Sequence, residues 1–147
     1  MTLKQIENYI DELVLKIKED DSLSQYCFVK GFSAREFPDP LVGYIIAVST
    51  LDTQVGVEFL SQAVGENLCG SMYNMTLKFR VYAPKNEGGE GLLALAHTLC
   101  ETLRKNDSEN VIQNITTSSI SFDNDAMTVY RDVVAELSFC LYEEVTA

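Results

Sequence analysis

Histidine is nearly absent: the chain has one, His97. Its four cysteines, Cys27, Cys69, Cys100 and Cys140, are scattered, with no C-x-x-C pair. A zinc site needs clustered ligands, so none is indicated. Scattered thiols read instead as reduced cysteines of a protein core. Basic residues are scarce too. Eleven Lys and Arg face 22 Asp and Glu, a net charge of −11 and an isoelectric point near 4.4. Such a surface repels phosphate backbones and anionic lipid. It excludes nucleic-acid binding by attraction, though not a surface along which DNA slides without sticking. No apolar run approaches the ~20 residues of a membrane-spanning helix. The first residues lack the apolar stretch of a signal peptide, so an intracellular protein is expected.

What is present is an ordinary globular composition, 46% hydrophobic and 22% charged. A chain of 147 residues fits one domain, 1–147, with a sizeable core. The stretch 71–105 organises it. Tyr73, Met75, Leu77, Phe79 and Val81 share one side of a two-residue period, and Asn74, Thr76, Lys78 and Arg80 the other. That is a strand with one dry face. Pro84 ends it, having no N–H to give. A glycine turn follows. From Gly91 the period becomes helical, with Leu92, Leu93, Leu95, Ala96, Leu99, Cys100 and Leu103 in one stripe.

Elsewhere, 2–19 read as a helix opened by a capping box of Thr2 and Gln5, with Leu3, Ile6, Ile10, Leu13 and Ile17 as its apolar stripe. A short strand covers 26–29. A proline-bearing segment, Phe37-Pro38-Asp39-Pro40-Leu41, is held extended. Residues 44–50 and 55–60 read as a hairpin turning at Leu51-Asp52-Thr53, and 61–70 as a mobile loop. Residues 111–122 read as a twisted or bulged strand. Asp123-Asn124-Asp125 is a turn, and the last strand runs over about 127–142. The fold class expected is α+β: a mixed, mainly antiparallel sheet with an N-terminal helix and one central helix packed on it.

No catalytic or metal constellation emerges. His97 sits at the edge of the helix stripe without a serine or cysteine motif. Asp123 and Asp125 cannot begin a calcium loop, because Val134 stands where a glutamate is needed. The glycines at 88, 89 and 91 precede a helix, but Glu87 and Glu90 oppose an anionic ligand. The second face of the last strand carries Tyr130, Val134, Cys140 and Tyr142. Tyrosine covers apolar area while keeping a polar tip, so these four are the candidate subunit-interface residues.

The layout resembles the tail terminator, or tail completion, proteins of long-tailed bacteriophages and prophages. The resemblance rests on the order of elements, the segment 37–41, a long strand ending in Ala83-Pro84, the glycine turn with a single helix, and the closing Phe139-Cys140-Leu141-Tyr142-Glu143-Glu144. It implies a hexameric ring that caps the tail tube, stops its polymerisation and faces the head connector. It implies no enzyme activity, no cofactor and no catalytic residue. The implied partners are other copies of the chain, the tail tube protein and the head–tail connector, with DNA as non-sticking cargo and no membrane. The implied locations are the bacterial cytoplasm during assembly and the virion tail. The competing reading is a small α+β enzyme or ligand-binding domain of hot-dog type, acting as a dimer, with Glu87 or Glu90 as its only candidate acids.

Overall fold

A computed structural model describes residues 1–30, 43–63, 66–84 and 89–144, with the backbone alone for residues 30, 51–71 and 142–144. The proline-bearing segment 37–41 and turn residues 85–88 lie outside them. Two helices, α1 (Leu3–Glu19) and α2 (Glu90–Asn106), accompany six strands: β1 (Cys27–Lys30), β2 (Ile45–Ala63), β3 (Glu66–Tyr82), β4 (Ile112–Thr117), β5 (Ser121–Asp123) and β6 (Thr128–Glu144). The strands form one sheet in the order β1-β2-β3-β6-β4, with β5 also paired to β6. Only β1 and β2 are parallel; the other pairs are antiparallel. The fold is therefore α+β, with a mixed, mostly antiparallel sheet.

α1 forms where its stripe and cap predict. The Thr2 hydroxyl accepts from Gln5 N at 3.3 Å, and Thr2 N donates to Gln5 Oε1 at 2.8 Å. This closes two of the helix's orphan donors. Ile6, Ile10, Leu13 and Ile17 are buried; each such side chain contributes about 1.5–3 kcal/mol of transfer free energy. Asp20 closes the last turn, its N–H donating to Ile17 O, and its carboxylate ties Ser22 to the Lys105 ammonium of α2. Tyr9 gives a second tie: its hydroxyl donates to Asp107, which also accepts from Val111 N and Ile112 N. The turn between α2 and β4 is thus fastened to α1.

Both helices cover the same sheet face. Their buried residues join Met75, Leu77, Phe79 and Val81 of β3 and Val133, Ala135, Leu137 and Phe139 of β6 in one core. The dry face predicted for β3 is thus the core face.

Several expectations change. Residues 51–53 do not turn the chain. β2 runs through them, and register shifts between Leu51 and Gln54 and between Val55 and Glu58 absorb the irregularity as bulges. Residues 61–63 and 66–70 are strand rather than loop. β2 reaches Ala63, paired with Glu66, and β3 continues from there. A neighbouring strand supplies partners that no local pattern reveals. Leu93 and Leu3 are exposed, being at the margins of their stripes. Cys27 and Cys140 are exposed and Cys100 half-buried, so the first two are not core thiols. Residues 111–122 break into β4 and β5, with a bulge between Ile112 and Asn114.

Candidate functional site

Among the described residues no helix lies over the second sheet face. Even-numbered residues of β3 and β6 meet there: Tyr82 opposite Tyr130, Arg80 opposite Asp132, Lys78 opposite Val134, Thr76 opposite Glu136 and Asn74 opposite Ser138. Arg80 and Asp132 form a two-pronged pair, Nε to Oδ1 at 2.8 Å and Nη2 to Oδ2 at 3.1 Å. Lys78 Nζ lies 3.5 Å from the same carboxylate. These side chains are only 14–19% exposed. The guanidinium sits 4.0 Å above the Tyr130 ring, in cation–π contact. Tyr130 also packs on Tyr82, ring centres 5.8 Å apart.

The cluster extends into the β5–β6 turn. The Tyr82 hydroxyl donates to Asp123 Oδ2 at 3.0 Å, and Asp123 Oδ1 accepts from Asp125 N and Ala126 N. The predicted turn at 123–125 is therefore stapled to the sheet. Asp132 is held by its backbone as well. Its N–H donates to Ser118 Oγ at 2.8 Å and its carbonyl accepts from Ser118 N at 2.9 Å.

Three groups in this cluster are moved away from neutrality. Asp132 raises the pKa of Arg80 further above its ordinary value. Burial, helped by Asp123, pushes the Tyr82 phenol up to about 12. Burial alone would raise Asp123, but the hydrogen bonds from Ala126 N, Tyr82 and Asp125 N outweigh it and hold the carboxyl below its usual range. General acid–base work needs a group that titrates near the working pH. Arg80, Tyr82 and Asp123 keep their charge states across neutral pH, which suits a brace between strands.

The second feature is length. β2 has 19 residues and β3 and β6 have 17 each, roughly 55–65 Å at ~3.3 Å per residue. The helices, 17 residues each, span about 25 Å. Among the described side chains, Tyr73 and Leu141 are the outermost residues of β3 and β6 on the core. Beyond them the backbone ladder continues to Glu66, and to Leu68 opposite Glu144. Among the described residues an arm therefore extends past the body, three-stranded for about 10 Å beyond Leu141 and two-stranded, β2 with β3, for a further ~7 Å.

Comparison with known proteins found no family model and no curated protein that matches the chain.

All four candidate interface residues lie on β6 at even positions. The Tyr130 ring is half-buried and packs against Arg80 and Tyr82. Val134 is half-buried and Cys140 is exposed. Tyr142 pairs through its backbone with Gly70 on the arm. His97 is exposed on α2. What the sequence reading missed is the cluster of Arg80, Asp132, Tyr82 and Asp123. Its only sequence signal was two charged residues on the polar sides of two long strands. Their pairing, 52 residues apart, is a matter of register.

Two grooves flank this framework. A shallow polar trough of about 450 Å³ on the uncovered face is lined by Asn74, Thr76, Gln113, Glu136 and Ser138. A more apolar groove of about 670 Å³ lies between α1 and β2, lined by Ile10, Val14, Leu15, Val48, Thr50 and Leu77. Among the described residues, no group of three or more His, Cys, Asp or Glu is placed to hold a metal ion, and no helix is long and apolar enough to cross a membrane.

Proposed function

We propose that the chain is a structural subunit of a bacteriophage or prophage tail. It assembles with copies of itself into a ring, hexameric by the resemblance drawn from its sequence. That ring caps the tail tube, ends its polymerisation and joins the tail to the head connector. The observation that carries this reading is the arm. A sheet needs no strands of 17–19 residues to seat two 17-residue helices. The extra length offers backbone to a neighbour.

The charge has a mechanical sense in such an assembly. At −11 per copy, a ring repels the phosphates of DNA passing through it and keeps the passage slippery. Light scattering over a concentration series, with negative-stain electron microscopy, tests the reading. Hexamers and annular particles are the expected result. A compact dimer that never forms rings, or a ring with a basic lumen, would refute it.

A further inference from the structure

The arm has two outer edges, and among the described residues both lack a partner strand at the same height. β1 pairs with β2 only from Ile45 to Val48. On the far side, β4 and β5 pair with β6 only as far as Leu137. Leu141, Tyr142, Glu143 and Glu144 pair with Ser71, Gly70, Cys69 and Leu68 of β3. Those four residues pair in turn with Glu58, Phe59, Leu60 and Ser61 of β2, in a run without bulges. The open stretch of β6 at 141–144 and that of β2 at 58–61 are therefore level with each other.

Building on the ring reading above, we infer that neighbouring copies join by sheet continuation: the outer edge of β6 at 141–144 in one copy pairs, in parallel, with the outer edge of β2 at 58–61 in the next. Direction, height and precedent support this. β2 and β6 are each antiparallel to β3 and so run the same way. Joining β6 to the next β2 extends the sheet without turning a copy over, and the same step repeats around a closed circle. Because the edges are level, repetition does not climb into a helix. The outer edge of β2 already accepts a four-residue parallel strand lower down, where β1 lies beside Ile45 to Val48. The contact proposed is the same kind of ladder, further up the same edge.

The β6 edge is also presented correctly. Its even-numbered residues turn their backbone groups away from β3. Asp132 N meets Ser118 Oγ, Asp132 O meets Ser118 N, and Ser138 N meets Val111 O. The Cys140 carbonyl meets the Met1 ammonium at 2.6 Å. By the same alternation Tyr142 and Glu144 point their N–H and C=O groups outward, where no strand is described. Regular open edges are aggregation hazards unless something covers them. The two bulges in β2 lie below Glu58 and separate the regular run at the tip from the regular run Ile45–Leu51, where β1 pairs.

Disulfide trapping tests the pairing. In a chain whose four native cysteines are replaced by serine, Phe59→Cys and Tyr142→Cys are made singly and together. A mixture of the two single variants should yield covalent dimers, and the double variant a ladder ending at the ring's copy number. Phe59→Cys alone should give none; a Phe59→Cys dimer means β2 pairs with β2 and overturns the inference. Tyr142→Pro in the native-cysteine chain is the second arm. It removes one outward N–H and spares the β3 ladder, so association should weaken at least tenfold, with an unchanged melting curve at dilutions where the wild type is also dissociated. Unchanged association overturns the inference. Rings that form without trapping at 59 and 142, or at 57 or 61 with 142, sink this pairing and leave the ring reading standing. A chain that stays monomeric at every concentration defeats both.

Discussion

Replacing Asp132 with alanine removes the acceptor that holds Arg80 by two hydrogen bonds and Lys78 at 3.5 Å. The cost can be bracketed. Breaking a fully buried ion pair costs about 3–5 kcal/mol, because a charge is left stranded; breaking an exposed one costs ~0–1 kcal/mol. Here the side chains are 14–19% exposed and the geometry is two-pronged. About 2–3 kcal/mol follows. At this chain length that lowers the melting temperature by roughly 5–10 °C. Urea unfolding followed by circular dichroism gives the free energy directly. Arg80→Met alone should cost a similar amount by leaving Asp132 without its main partner. The double variant, Arg80→Met with Asp132→Leu, should return to within about 1 kcal/mol of the wild type, since apolar replacements remove both desolvation penalties. The coupling in the cycle should therefore exceed ~1 kcal/mol. Raising salt to half molar should leave most of the effect, because partly buried pairs are weakly screened. A single-variant cost below ~0.5 kcal/mol, or a double variant as unstable as the sum of the singles, would refute the brace.

Three other outcomes follow. Asp123 has a depressed pKa in the folded state, so its stabilising effect is complete above the ordinary carboxylate value, near 3.9, and fades as pH falls through the lower folded value; Asp123→Ala should flatten the stability-against-pH curve in that acid window. Tyr82, pushed up to about 12, stabilises fully below the ordinary phenol value near 10 and loses that effect as pH rises through about 12, which ultraviolet titration of wild type against Tyr82→Phe would register. A Cβ on Gly91 would run into the Tyr44 hydroxyl, so Gly91→Ala should lower the melting temperature and Tyr44→Phe should restore part of the loss; no change in Gly91→Ala would contradict the close approach.

The Thr2 cap offers a fourth check, on local structure alone. Thr2→Ala should cost about 1 kcal/mol by releasing the capping box, read by chemical denaturation. No loss would mean the N-terminal turn is held from elsewhere, for example by Met1 on Cys140.

Local chemistry determined the segments whose partners lie within a few residues. The stripe of Ile6, Ile10, Leu13 and Ile17, the Thr2–Gln5 box and the Asp123 turn were all legible, because a helix or turn closes its hydrogen bonds on itself. The alternation around Leu77 and Phe79 was legible too, since any strand with one dry face shows it. The sequence also put Tyr130, Val134, Cys140 and Tyr142 on one side of β6 by parity alone. Tertiary structure alone decided the rest. A strand finds its partners across the sheet, so nothing near residues 51–53 or 61–63 could tell that β3 would keep β2 paired as far as Ala63. The meeting of Arg80 with Asp132 depends on the register of two strands distant in the chain, which a slip of one residue would abolish. The level edges of the arm depend on two registers at once, β2 on β3 and β3 on β6.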